Sequence, residues 1–158
     1  MINPYILLLV LSFTVFSSAR SGEPSKTFQA EDVFELEYAN DPRISPDGKY
    51  IVYERRSSDI MTDSMRSNIW IIKSDGTQNR PLVSGNTHAT TPRWSPSADR
   101  LVYLQTAKDG TEIIVRWMDT GQTARIVKLS IRPSSITWSP DGYWLAFTMP
   151  VKAESDPL

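Results

Sequence analysis

Apolar and polar positions fall in blocks along this chain, and the blocks return in the same order. A short entering segment (Arg43-Ile44, Arg93-Trp94, Thr137-Trp138) leads into a polar turn. A strongly apolar segment follows: Tyr50-Ile-Val-Tyr53, Leu101-Val-Tyr-Leu104 and Trp144-Leu-Ala-Phe147. In two copies a third apolar segment comes next, Asn68-Ile-Trp-Ile-Ile72 and Glu112-Ile-Ile-Val-Arg-Trp117. The pairs Asp75-Gly76 and Thr120-Gly121 close these as hairpin turns. Residues 79–83 and 123–127 then read as shorter, more polar strands. The second segments are apolar at successive positions, not at every other one. That pattern predicts strands covered on both faces.

The blocks are anchored by one phrase: Pro42-Arg-Ile-Ser-Pro-Asp-Gly-Lys-Tyr-Ile-Val-Tyr53, Pro92-Arg-Trp-Ser-Pro-Ser-Ala-Asp-Arg-Leu-Val-Tyr103 and Ser135-Ile-Thr-Trp-Ser-Pro-Asp-Gly-Tyr-Trp-Leu-Ala-Phe147. Its Ser-Pro pairs start at 45, 95 and 139, so the repeat is 50 and then 44 residues long. Four strands per repeat at that period predict an all-β fold, an incomplete β-propeller of about two and a half antiparallel blades. Blade 1 is expected over about 41–84, blade 2 over about 90–128 and half of blade 3 over about 134–150, within a partial propeller spanning 41–158. Propellers have roughly four to eight blades, so this chain reads as the beginning of a larger protein with open sheet edges.

Each turn has a mechanism. Proline presets φ for the second turn position, aspartate suits the third, and glycine takes the left-handed conformation that closes the hairpin. Ser45 and Ser139 are placed to bond back onto the turn. The central copy has Ser97-Ala98 in place of Asp-Gly, so a left-handed Ala98 would cost about 1 kcal/mol. The first copy is longer because of residues 57–67, which read by composition as a loop with some helix. Residues 28–39 read as a short helical turn opening on acidic residues. Most of the five Trp and six Tyr are expected to fill the core.

Composition narrows the function. The chain has 17 basic and 18 acidic side chains, a net charge of −1, which provides no field for nucleic acid or an anionic membrane. There is no cysteine and a single histidine, His88, so most zinc sites are excluded. Residues 6–16 form an apolar run followed by the small residues Ser17-Ser18-Ala19. This predicts a signal peptide over 1–19, cleaved after Ala19, a polar lead-in over 20–40, and a secreted or periplasmic protein with no membrane span once the leader is removed. The leader has no Lys or Arg before its apolar run, and the alternatives are an uncleaved anchor or a buried strand.

No catalytic set emerges. No two of the seven glycines stand four apart, so there is no Gly-x-Ser-x-Gly elbow. His88 lacks a nucleophile context and reads as a loop residue between blades. Glu35 and Glu37 read as a surface pair, and Asp59 with Asp63 lacks an EF-hand pattern. No catalytic, cofactor-binding or metal-ligating residue is assigned, and no cofactor is expected.

The phrase of residues 41–53 with Ser67-Asn-Ile-Trp-Ile-Ile-Lys-Ser-Asp-Gly-Thr77, and its copies at Thr91–Pro96 and Trp138–Gly142, resembles the start of a secreted serine peptidase of the prolyl oligopeptidase family. The acylaminoacyl-peptidase and dipeptidyl-peptidase branches are the similar ones, over about residues 28–151. TolB-type periplasmic propellers share the Ser-Pro-Asp-Gly phrase. The resemblance implies a propeller of roughly seven or eight blades over a C-terminal hydrolase domain that supplies Ser, Asp and His. It also implies peptide substrates, with the propeller narrowing their access. None of those triad positions occurs here. Dipeptidyl peptidases hold the substrate's amino terminus with two propeller glutamates, to which Glu35 and Glu37 are not assigned. Two readings follow: the propeller portion of such a peptidase, inert alone, or part of a TolB-like binding propeller. A third is a mature short chain that needs partner chains to finish its ring. Open blade edges predict that the isolated chain self-associates.

Overall fold

A computed structural model describes residues 27, 29, 32, 35–59, 64–85 and 87–151. Residues 1–19, the expected leader, and most of 20–34 lie outside the described residues. Ten strands follow one another: β1 (Glu37–Ile44), β2 (Tyr50–Asp59), β3 (Ser64–Lys73), β4 (Arg80–Val83), β5 (Ala89–Trp94), β6 (Arg100–Ala107), β7 (Gly110–Trp117), β8 (Thr123–Leu129), β9 (Ser134–Trp138) and β10 (Leu145–Thr148). They form two four-stranded antiparallel meanders, β1-β2-β3-β4 and β5-β6-β7-β8, and a two-stranded sheet, β9-β10. The first strand of each sheet sits beside that of the next, β1 against β5 and β5 against β9. This is an open array of propeller blades.

The middle sheet explains the doubly apolar segments. Leu101, Tyr103 and Ile114 face the first sheet and join Val52, Ile69, Ile71, Leu82 and Ala89 in one buried cluster. Val102, Leu104, Ile113 and Val115 face the other way and pack with Ile136 in a second cluster. Consecutive residues of one strand thus feed two cores, which only a sheet covered on both faces requires.

The three turns share one serine-centred pair of bonds. In the first, the Ser45 hydroxyl donates to Asp47 (2.6 Å) and accepts from the Tyr50 amide (3.0 Å). In the third, Ser139 donates to Asp141 (2.5 Å) and accepts from the Trp144 amide (2.9 Å). The central turn lacks an aspartate at position 97, yet Ser95 makes the same pair of bonds, to Asp99 (2.7 Å) and from the Arg100 amide (2.9 Å). Asp99, two residues later in the turn, restores the missing acceptor. Ala98 adopts φ 59°, beside 71° at Gly48 and 74° at Gly142, so it keeps the left-handed geometry without glycine.

Three expectations are corrected. Of the expected loop with some helix over 57–67, the described residues 57–59 and 64–67 are strand: β2 runs to Asp59 and β3 starts at Ser64, paired through Ser57↔Arg66 and Asp59↔Ser64, while residues 60–63 lie outside the described residues. Serine and charged residues were misleading here because this arm projects from the core, where strands need only ladder hydrogen bonds and cross-strand pairs such as Asp59 with Arg66. The segment 28–39, expected to hold a short helical turn, ends as strand, since Glu37–Asn40 pair with Glu54–Ser57 as the start of β1, and residues 28, 30, 31, 33 and 34 lie outside the described residues. Nor do most of the tryptophans and tyrosines fill the core: among the described ones only Tyr103 is buried, while Tyr143 is 82% exposed and Trp144 73%. They follow the third turn, at the start of the two-stranded sheet.

Candidate functional site: a buried carboxylate between inner strands

Glu54 lies in β2, opposite Asn40 of β1, and points toward the second sheet. Period-two alternation places it on the same face as Val52, and it is 2% exposed. A carboxylate there must be fully hydrogen-bonded. The fold meets that demand with a distortion. Both β1 and β5 bulge, with register shifts between Asn40 and Arg43 and between Thr90 and Arg93. The bulge residues Asp41 and Thr91 have φ 46° and 59°. At Thr91 the bulge turns the amide out of its ladder, and it donates to Glu54 Oε1 at 2.7 Å. Glu54 Oε2 accepts from Asn40 Nδ2 (3.0 Å) and from Arg56 Nε and Nη2 (3.0 and 2.7 Å). Burial pushes this carboxyl up, but the Thr91 amide, Asn40 and Arg56 outweigh it and hold Glu54 below the ordinary carboxylate range.

Polar links continue along the inner strands. The Asp41 carboxylate bridges Arg43 Nη2 (2.5 Å) in its own strand and Arg93 Nη1 (2.6 Å) in the next sheet. Arg132, just before β9, donates to Thr90 Oγ1 at 2.7 Å and Thr91 Oγ1 at 3.3 Å. His88 stands in the β4–β5 connection, where burial and then the Arg132 cation push its pKa down. Two indoles clip successive sheets together. Trp94 Nε1 donates to the Arg43 carbonyl (3.0 Å), and Trp138 Nε1 donates to the Arg93 carbonyl (3.1 Å). The first sheet has Ile44 where these tryptophans stand, and it is exposed.

This chemistry binds successive sheets together. The Thr91 amide, Asn40 and Arg56 all donate to Glu54, which favours its ionised form. Among the described residues, no three His, Asp or Glu side chains are grouped to hold a metal. His88 is near Glu54 and Arg132 but has no serine or threonine hydroxyl bonded to it among the described contacts. Glu35 and Glu37 are exposed, and Glu37 pairs with Arg55. Sequence reasoning passed over Glu54. The available signal was a glutamate at an inward position of an apolar strand. The αL bulge residues had a fainter one, a polar residue before Pro42 and Pro92.

No family model matches the chain. It is 27% identical to the uncharacterized peptidase YuxL of Bacillus subtilis over 125 residues, which cover 78% of this chain and 19% of that protein. It is 23% identical to dipeptidyl-peptidase 5 of Porphyromonas endodontalis over 113 residues, covering 72% of this chain and 16% of that one. The relatives are peptidases. The chain spans about a fifth of the length of these curated relatives. Among solved structures it superimposes on Pyrococcus horikoshii acylaminoacyl peptidase (TM-score 0.61, 18% identity, 71% of this chain and 17% of that one). It also superimposes on the β-propeller domain of the Trilobed protease from Pyrococcus furiosus (0.60, 21%, 72% and 34%). A putative TolB from Agrobacterium tumefaciens follows (0.51, 24%, 72% and 43%). These likenesses establish the fold: an incomplete, unclosed β-propeller.

Proposed function

We propose that this chain forms the opening blades of a propeller that covers the hydrolase domain of a secreted serine peptidase of the prolyl oligopeptidase family. The propeller admits short peptides to that domain and keeps folded proteins out. The observation that carries this reading is the match to two peptidases over more than 70% of the chain but only 19% and 16% of their length. A blade segment is what such a match would contain. The Ser, Asp and His of the reaction belong to the hydrolase domain; no residue of this chain takes their place. Export by a leader cleaved after Ala19 is supported by the apolar run 6–16 and the small residues 17–19.

The test is the coding sequence beyond Leu158, together with its product. A Gly-x-Ser-x-Gly elbow several hundred residues on, and labelling of the longer protein by a serine-directed fluorophosphonate, support the peptidase. The chain alone leaves peptide p-nitroanilides intact; turnover that resists a serine-directed inhibitor and survives His88→Ala overturns this assignment. Amino-terminal sequencing of the exported protein checks the cleavage site. The second reading, a TolB-like binding propeller without catalysis, draws on the TolB likeness and on the shared turn phrase. A stop codon after the last blade favours it. On either reading, the open edges of the isolated chain favour self-association.

A further inference from the structure

Four of the seven glycines follow an aspartate: Asp47-Gly48, Asp75-Gly76, Asp109-Gly110 and Asp141-Gly142. Such a bond is chemically labile, because glycine puts no side chain in front of its nitrogen. The nitrogen attacks the aspartate Cγ. A C–N bond forms, the carboxyl C–OH bond breaks, and the amide proton leaves with the hydroxyl as water. Water then opens the succinimide ring at either carbonyl. One opening restores aspartate; the other routes the main chain through Cγ, as isoaspartate. The first step needs a neutral carboxyl, so that the leaving oxygen carries a proton, and a Cγ free to approach the nitrogen.

Three of the four bonds are guarded by their own turns. Asp47 accepts from Ser45 Oγ (2.6 Å) and the Lys49 amide (3.2 Å). Asp141 accepts from Ser139 Oγ (2.5 Å) and the Tyr143 amide (3.0 Å), and Asp75 from the Thr77 hydroxyl (2.6 Å) and amide (2.8 Å). The hydroxyls first, then the amides, hold all three carboxyls below the ordinary range. The attacking nitrogens are occupied as well. The Gly48, Gly76 and Gly142 amides donate to the carbonyls of Ser45, Lys73 and Ser139 at 2.8, 2.9 and 2.9 Å.

Asp109 is placed differently. It lies in the short turn between β6 and β7 with its side chain 75% exposed. Its described partner is Lys128 Nζ at 3.9 Å, too far for a hydrogen bond. No hydroxyl or amide holds its carboxyl among the described contacts. This turn also has no slack for an added main-chain atom. Gly110 has φ 133°, and a β-carbon there would run into the Leu129 carbonyl.

We infer that Asp109-Gly110 is the site of isoaspartate formation in the folded chain, and that the hydroxyl-capped turns shield the other three Asp-Gly bonds. The inference stands on turn geometry and is independent of the peptidase reading.

The experiment ages the whole folded chain at mildly acidic pH. Isoaspartate is located by peptide mass spectrometry and counted by methyl transfer from a protein L-isoaspartyl methyltransferase. The expected result is accumulation at 109 at least about tenfold faster than at 47, 75 or 141. In urea, where the turns are gone, the four sites react at similar rates. Thr77→Val, at an exposed position, removes the hydroxyl but keeps the amide, and raises the rate at 75 alone. Asp109→Glu removes most of the methyl transfer while circular dichroism stays unchanged. Comparable or faster reaction at any of the other three sites of the folded chain overturns the inference. So does the same ranking in urea, an unchanged rate at 75 in Thr77→Val, or full methyl transfer to Asp109→Glu.

Discussion

The Thr91 amide reaches across the boundary between two sheets to donate to the Glu54 carboxylate at 2.7 Å. The bond exists because Thr91 is bulged and left-handed, and the bulge persists because a buried carboxylate awaits its N–H. The two features explain each other. Glu54→Ala should destabilise the chain by about 2–4 kcal/mol, since Arg56 and the Thr91 amide lose their acceptor in a buried place. Urea denaturation followed by circular dichroism measures it; a loss below about 0.5 kcal/mol would show that the network carries no stability.

Ala98 holds a backbone geometry that its two sister turns give to glycine. Ala98→Gly should raise stability by about 0.5–1 kcal/mol, the left-handed strain less the added freedom of glycine in the unfolded chain. Gly48→Ala should do the reverse, by about 1 kcal/mol. A β-carbon at position 48 would meet nothing within 4 Å, so strain alone is measured. Thermal melts of both variants check the pair.

Two groups set opposite ends of an acid profile. The hydroxyls of Ser97 and Ser95 hold the Asp99 carboxyl down at about 2, against an ordinary 3.8. Its contribution is full above the ordinary value and is lost as pH falls from there toward 2. His88 is pushed below its ordinary 6.5 by burial and by Arg132. The folded chain therefore takes up this proton less readily than the unfolded chain, and stability falls once pH drops through 6.5. His88→Gln should flatten the upper part of the profile and Asp99→Asn the lower part, in melts recorded from pH 7 to pH 2.

Trp94 fastens one sheet to the next through a single N–H. Trp94→Phe keeps most of the ring's apolar area and removes that donor, so it should cost about 1 kcal/mol. Ile44→Phe, at the same place in the first sheet, should cost nothing measurable, because Ile44 is exposed and neither side chain carries a donor. Denaturation midpoints of the two variants provide the comparison.

The repeat and its turns were legible because they depend on local rules. Leu101–Leu104 is apolar at every position, and only a two-faced strand wants that. Ser-Pro-Asp-Gly dictates its own backbone. The Asp59–Ser64 arm was not legible, because strand pairing in a solvated hairpin imposes no apolar period. The inner-strand bulges were hidden for a different reason: Asp41 and Thr91 take left-handed φ against local preference, held there by partners 52 and 37 residues away in sequence. The polar network around Glu54 was hidden with them, since it forms only once sheets are stacked.

Strand β6 of the middle sheet is covered on both faces, and this gives the chain a direction of unravelling. Exchange of amide protons should be slowest in β6, whose side chains are shared by both clusters, and faster in β1 and β10 at the two flanks. Losing an outer sheet strips one layer of cover and leaves the other, so the last part to open is the part in the middle.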